Sequence, residues 1–255
     1  MGFLYETHLH TCEASRCGRV HGEDYISYMM GKGYSGMIVT DHFFNGNTCV
    51  PEDLSWKERV EIYCSGFERA LKAAEGKDFT VMFGVEFNFN KDEYLLYGVD
   101  KQWLLDNERI MSMTRHELLE AVHEAGGIMI QAHPYRERDY LSDIKLAPTA
   151  CDGIEVYNAA NKPNMNALGY EYCMSLDLPM TSGSDIHFFH DNEMGGMLFE
   201  RKINTVQDYA RAVIERSGIP VSIRPDGTVI PVSQMPEQTV PTDLPTLPVL
   251  YPEGK

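Results

Sequence analysis

The chain has 255 residues, 43% hydrophobic and 24% charged, which suits one large domain with its own core and excludes a disordered or membrane-type composition. Lys and Arg total 22 against 38 Asp and Glu, and a formal charge of -16 repels a polyphosphate backbone, so long nucleic acid is disfavoured as a partner. No apolar run approaches the ~18 residues of a membrane span, MGFLYETHLH has no basic stretch before an apolar core, and the six cysteines are scattered; a cytoplasmic protein with reduced thiols and no membrane partner is expected.

In chain order, short apolar runs predict strands at 3–7, 36–40, 80–87, 94–99, 127–131, 153–156 and 179–182. Between them, apolar residues at three- and four-residue spacing predict helices at 23–32, 55–75, 114–125, 164–176 and 205–217. Thr114 with Glu117 reads as a capping box, and Gly126 with Gly127 closes that helix. A hairpin is predicted over 219–232 through the Asp226-Gly227 turn. The alternation of strands and helices argues for a mainly parallel sheet with covering helices, in one domain over residues 1–230. Residues 231–255 hold six of the thirteen prolines and read as an extended tail, with Val249, Leu250 and Tyr251 available to anchor it.

The strand ends carry the chemistry. His8 and His10 stand two apart after the first strand, so both side chains leave the same face. The second run, GMIVTDHF, ends in His42; TVMFGVEF ends in Glu86; IMIQAHPYR delivers His133; PMTSGSDIH delivers Asp185 and His187. Five of the nine histidines fall on these positions, and β/α barrels place their chemistry at the carboxyl ends of strands. Each residue alone has an ordinary reading: His133 before a proline as a strand terminus, Asp185 as an Asx turn. Their recurrence over five strand ends points to metal ligation instead, and imidazole with carboxylate suits Zn, Mn or Fe better than Ca.

The series HLHT, TDH, GVE, AHP, GSDIH resembles the polymerase and histidinol phosphatase (PHP) family over roughly residues 1–225. The resemblance implies an α/β fold, a distorted (β/α)7 barrel with two or three divalent transition metals (Zn, Mn or Fe), here extended by the hairpin and the proline-rich tail. It implies a hydrolase of small phosphate monoesters or short phosphodiesters acting through metal-activated water. His8, His10, His42, Glu86, His133, Asp185 and His187 would be ligands, with Glu86 bridging two ions and Glu86, Asp185 and His187 serving catalysis. Two positions depart from the family pattern. Either Glu13 or Cys17 takes the ligand place after the first motif, Glu13 being the harder donor, and Tyr94 stands where a histidine is usual.

Asp41 should point away from His42 and act as a supporting carboxylate, while Glu155 is placed to orient a ligand histidine. Arg136 is the first candidate for a substrate phosphate, its alternative being a surface salt bridge; Arg16 and Lys162 follow. His190 has a weak claim to the mouth of the site. Two other functions compete. A barrel amidohydrolase also opens with His-x-His, but it is marked by a bridging carboxylated lysine on a middle strand; a non-catalytic regulatory metal-binding domain would lack part of the ligand set. No signal for an oligomeric state is legible.

Overall fold

A computed structural model of the protein describes residues 2–252. Its twelve strands are β1 (Phe3–Leu9), β2 (Gly36–Val39), β3 (Thr80–Phe89), β4 (Asp92–Tyr97), β5 (Ile128–Gln131), β6 (Ile144–Lys145), β7 (Gly153–Asn158), β8 (Met180–Gly183), β9 (Met194–Phe199), β10 (Gly218–Ile223), β11 (Val229–Pro231) and β12 (Val249–Leu250). The helices are α1 (Tyr25–Gly31), α2 (Trp56–Ala73), α3 (Lys101–Asp106), α4 (Arg115–Glu124), α5 (Pro163–Leu176), α6 (Val206–Ile214) and α7 (Pro236–Thr239). Among the described residues no helix is long and apolar enough to cross a membrane.

Ten strands form one sheet in the order β11-β10-β9-β1-β2-β3-β4-β5-β7-β8. It curls, and β8 returns toward β9 and β10: the Ser182 hydroxyl donates to the Val221 carbonyl at 2.8 Å, and the Gly195 amide donates to Ser184 Oγ at 2.8 Å. The fold is therefore a half-barrel of mixed direction. Parallel pairs join β1 to β2, β2 to β3, β5 to β7 and β7 to β8, whereas β4 runs antiparallel to both neighbours and β9 to β11 form an antiparallel flank beside β1.

This flank was not expected as a whole. The hairpin formed at the predicted turn, with Gly227 at φ +86, but β9 lies in a stretch where Gly195 and Gly196 break the apolar run and no strand was predicted. The parallel architecture is further interrupted by the β3–β4 hairpin. Its turn residues Asn90 (φ 51) and Lys91 (φ 84) both take left-handed backbone, the geometry that lets a two-residue loop match strand twist.

Helix starts follow their local chemistry. Ser55 and Glu58 make a reciprocal capping box on α2, and Thr114 and Glu117 make the predicted one on α4. The tail is packed on the body. Asn166 Nδ2 donates to Gln238, Asn164 Oδ1 accepts from the amides of Thr242 and Asp243, Glu137 Oε1 accepts from the amide of Thr246, and β12 pairs in parallel with β6.

One buried ion pair ties a helix to the strand nearest the chemistry. Arg115 at the start of α4 grips Asp92 on β4 through Nη2–Oδ1 (2.7 Å) and Nε–Oδ2 (2.8 Å); Tyr94 donates to the same carboxylate, and both charged side chains are about 95% buried. Removing one partner strands the other charge away from water, a penalty larger than the pair's own attraction. Asp92→Ala is therefore expected to lower unfolding free energy by about 3–5 kcal/mol in urea denaturation, and a loss below ~1 kcal/mol would assign the anchoring of β4 to packing alone.

Candidate metal centre

Four strand ends and one loop deliver side chains to a single point at the carboxyl rim of the curled sheet. β1 carries His8, ends at Leu9 and is followed at once by His10; a parallel bridge joins Leu9 to Ile186, and the amides of His10 and Ile186 donate across it at 3.0 and 3.2 Å. That bridge zips the segment 184–187 onto the end of β1 and brings Asp185 and His187 beside His10. A second bridge pairs His42, past the end of β2, with Glu86 inside β3. His133 follows β5. His133 (φ 28) and Asp185 (φ 56) hold left-handed backbone, a strained state for non-glycine residues that surrounding structure must enforce.

Glu86 lies at the centre. Its Oε1 is 3.1 Å from His8 Nε2 and 3.2 Å from His133 Nε2; its Oε2 is 2.5 Å from His42 Nδ1 and 3.5 Å from His10 Nε2. Asp185 Oδ1 is 3.0 Å from His10 Nε2 and 3.6 Å from His8 Nε2. Three groupings of donor atoms within 4.8 Å result: His8 with Glu86 and His133, His8 with His10 and Asp185, and His10 with His42 and His187.

Four of these atoms, His8 Nε2, His10 Nε2, His42 Nδ1 and Glu86 Oε2, are buried and make no hydrogen bond. An unsatisfied buried polar atom costs about 1–3 kcal/mol, so four cost on the order of 4–12 kcal/mol, comparable with the whole stability of a domain. Donor atoms that converge with no hydrogen bond between them fit a bound cation. Burial alone would raise the Glu86 carboxyl, but the imidazoles of His42 and His8 outweigh it and hold it well below the usual range. Burial, with His42 and His187 alongside, pushes His10 down to about 3, leaving a neutral imidazole with a free lone pair.

The supporting hydrogen bonds fix the tautomers. His8 Nδ1 donates to Glu155 Oε1 at 2.9 Å, and Glu155 Oε2 accepts from the amide of His133 at 3.0 Å, so one carboxylate orients two members of the cluster. Gly183 permits that approach, since a Cβ there would stand 2.6 Å from the His8 Cβ and 3.0 Å from Glu155 Oε1. Asp41 turns away from the centre, as strand parity requires. It accepts from the Thr11 amide and hydroxyl and from Ser15 Oγ at 2.6–2.7 Å, and Ser15 in turn lies 3.2 Å from His10 Nδ1.

The two departures from the sequence pattern resolve differently. Of the pair left open after the first motif, Cys17 faces the cluster, where burial raises its thiol but hydrogen bonds to His187 and His42 bring it down to about 6. Glu13 stays outside, at 2.8 Å from His21 Nδ1 and 3.4 Å from Arg69 Nε. The expectation that favoured Glu13 on hardness missed that the loop turns its carboxylate toward α2. Next to Tyr94, which stands where the family has a histidine, it is Glu93 that faces the cluster: its carboxylate lies 3.8 Å from His42 Nδ1 and 3.6 Å from His133 Nε2 and forms a donor group with His42 and Glu86. The Asn90-Lys91 turn was the missed signal. It pairs Asn88 with Glu93 and so puts Glu93 on the face of Glu86, while Tyr94 points to the opposite one.

A cleft of about 630 Å³ opens over the cluster, lined by Cys17, His42, Glu93, Asp185 and His187, three asparagines, and Arg136, Arg138 and Tyr140. Arg136 Nη1 lies 2.5 Å from Asp185 Oδ2, while its Nε and Nη2 donate to Asn161 and Asn158 at 2.8 and 2.7 Å. Arg138 adds a second guanidinium that sequence reasoning did not select. Arg16 is exposed and donates to the Thr48 carbonyl, Lys162 is exposed ahead of α5, and His190 packs by Tyr28 and Phe188; none of the three lines this cleft.

No protein-family model and no curated protein matches the chain. Solved structures do. The chain aligns with a two-domain protein from Bacteroides vulgatus ATCC 8482 described as containing a predicted PHP-like metal-dependent phosphoesterase, at TM-score 0.62 and 15% identity, covering 88% of this chain and 65% of that one. It aligns with the novel lesion-specific endonuclease PfuEndoQ from Pyrococcus furiosus at 0.55 and 14%, covering 84% and 56%, and with an amidohydrolase from Chromobacterium violaceum at 0.52 and 13%, covering 87% and 98%. The chain thus spans just under two thirds of the first of these proteins. At these identities the likeness is one of fold, a fold shared with all three of these structures.

Proposed function

We propose that this protein is a metal-dependent phosphoesterase that hydrolyses small phosphate monoesters or short phosphodiesters with two or three divalent transition ions. The observation that carries the reading is the set of four buried, unpartnered donor atoms converging on one point beneath a cleft lined by arginines. His8, His10, Cys17, His42, Glu86, Glu93, His133, Asp185 and His187 are the proposed donors, with Glu86 shared between ions. When bound, the ions supply an acidified water as nucleophile and a Lewis acid for the phosphoryl oxygens.

The chain's own contribution is positioning. Glu155 holds the His8 ring, Ser15 and Asp41 hold His10, and Arg136, steadied by Asn158 and Asn161, presents a planar cation where the outer oxygens of a phosphate would lie. The charge of -16 and the narrow basic lining favour a compact anion over a polymer, although the likeness to an endonuclease makes a short oligonucleotide part of the test. Against the amidohydrolase reading, Glu86 holds the central position and no lysine lines the cleft. A panel of phosphate monoesters, phosphodiesters, oligonucleotides and amides, assayed with Mn²⁺, Zn²⁺ and Fe²⁺, separates these outcomes; turnover of amides alone would overturn the proposal.

Protein purified without chelators should hold at least about two metal equivalents by elemental analysis, and less than one after reconstitution would remove the basis for the mechanism. Glu86→Gln should keep the fold and lose most turnover together with metal. A change within about threefold in both quantities, under ~1 kcal/mol, would show that Glu86 is not shared.

Glu93 and Tyr94 make a paired test. Glu93→Gln should reduce metal content or raise the metal concentration needed for activity at least about tenfold, the scale seen on losing a group that supports a metal site, whereas Tyr94→Phe should leave metal content unchanged. Unchanged metal binding in Glu93→Gln would remove Glu93 from the donor set.

Arg136→Ala should lower kcat/KM by roughly 1.5–3 kcal/mol, the range of a charge-assisted hydrogen bond, with Arg136→Lys recovering only part. Unchanged kinetics for both variants would assign phosphate recognition to Arg138.

A further inference from the structure

Away from the histidine cluster, a second set of unlike donors meets where the loop after β1 reaches the entry to α1. Cys12 Sγ lies 3.0 Å from His21 Nδ1, Glu13 Oε1 lies 2.8 Å from the same nitrogen, and Cys12 Sγ lies 3.8 Å from Glu13 Oε2. The three donor atoms fall within 4.8 Å of one another, and none belongs to the groups described above. A tetrahedral zinc shell, with bonds of about 2.0–2.3 Å, sets its donors about 3.4–3.6 Å apart, inside the 4.8 Å that encloses one donor atom from each of the three residues.

We propose that Cys12, Glu13 and His21 form a separate zinc site that clips the loop following β1 to the start of α1. A thiolate, an imidazole and a carboxylate together select zinc over magnesium or calcium. The sulfur and the carboxylate both approach one imidazole nitrogen, so the three donors converge on a single point.

The surroundings hold the donors in place. The Glu13 carboxylate is 8% exposed, and its Oε2 accepts from the Gly22 amide at 3.3 Å. Gly22 is packed so closely on α2 that a Cβ there would stand 1.9 Å from the Gly66 carbonyl oxygen. Arg69, the cation nearest Glu13 among the described contacts, commits its guanidinium to Glu23 through both Nε and Nη2, so Glu13 is left with a weaker share at 3.4 Å. The Cys49 thiol donates to the carbonyls of Glu13 and Cys12 at 3.4 and 3.7 Å and is a further sulfur on the same stretch of backbone.

Co²⁺ added to the metal-free full-length protein reads the site, because thiolate-to-cobalt absorption in the near ultraviolet requires a sulfur ligand. Cys17→Ser serves as the background, since it removes the thiol that faces the cleft. In that background the absorption should plateau at the intensity of one thiolate-bound cobalt per chain, disappear with Cys12→Ser and fall at least about fivefold with His21→Ala. Zn²⁺ should slow alkylation of Cys12 by at least about fivefold in the wild-type protein and not in His21→Ala. Neither Cys12→Ser nor His21→Ala in the otherwise wild-type chain should change metal loading of the histidine cluster, so the outcome is independent of the phosphoesterase reading. Absence of the band in Cys17→Ser, a band indifferent to Cys12 and His21, or a Cys12–Cys49 disulfide in the purified protein in place of a zinc-protected thiol would overturn the site.

Discussion

Burial of imidazole and carboxylate atoms that no hydrogen bond reaches is the constraint around which this molecule is organised. Imidazole and carboxylate groups on five segments are brought to near-contact at the rim of the sheet, where water is excluded and no hydrogen bond reaches four of the atoms. In a low-dielectric environment such an arrangement is self-defeating unless positive charge is placed among the donors. Many of the polar features around it follow from that requirement: the strained backbone at His133 and Asp185, the Glu155 carboxylate serving both His8 and His133, and the Asp41 carboxylate pinning Thr11 and Ser15.

The sheet meets the requirement by curling. A flat mixed sheet would place the ends of β1 and β8 far apart, yet His8 and Asp185 are 3.6 Å from each other through side-chain atoms. Closure rests on small groups: the Leu9–Ile186 bridge, the Ser182 and Ser184 hydroxyls that satisfy backbone groups on the neighbouring strands, and glycines 183 and 195, whose missing side chains let β8 and β9 meet. The antiparallel flank β9–β11 then covers the side of β1 that a further parallel strand would cover in a regular barrel. The tail reinforces the wall of the cleft through β12 against β6 and through Glu137, one residue beyond Arg136.

The donor set also divides by hardness. Cys17 sits among imidazoles on the cleft wall, which Glu93 and Asp185 also line, whereas Glu86 lies deeper, buried among the histidines. Cys12, five residues earlier on the same loop, faces a different set of partners. A single loop thus carries two thiols in two chemical settings, one made acidic by histidines and one made less acidic by burial and a neighbouring glutamate.

What the sequence determined by itself was local. Strand-end histidines two residues apart must leave one face, apolar runs bounded by turn residues must be strands, and Thr114 with Glu117 must begin a helix, because period and capping are properties of a few consecutive residues. The positions of His8, His10, His42, Glu86, His133, Asp185 and His187 at such ends were legible for that reason. Only the tertiary structure decided which way the loop after β1 turns, and hence that Cys17 and not Glu13 faces the cluster. It alone decided the hairpin register that presents Glu93 in place of Tyr94, because a slip of one residue reverses a strand's faces and no local property of DEYLLY records which face is inward. The closure of the sheet through β9 and the docking of the tail were equally out of reach, since both depend on contacts between residues far apart in sequence: Leu4 with Leu198, Asn166 with Gln238, and Ile144 with Val249.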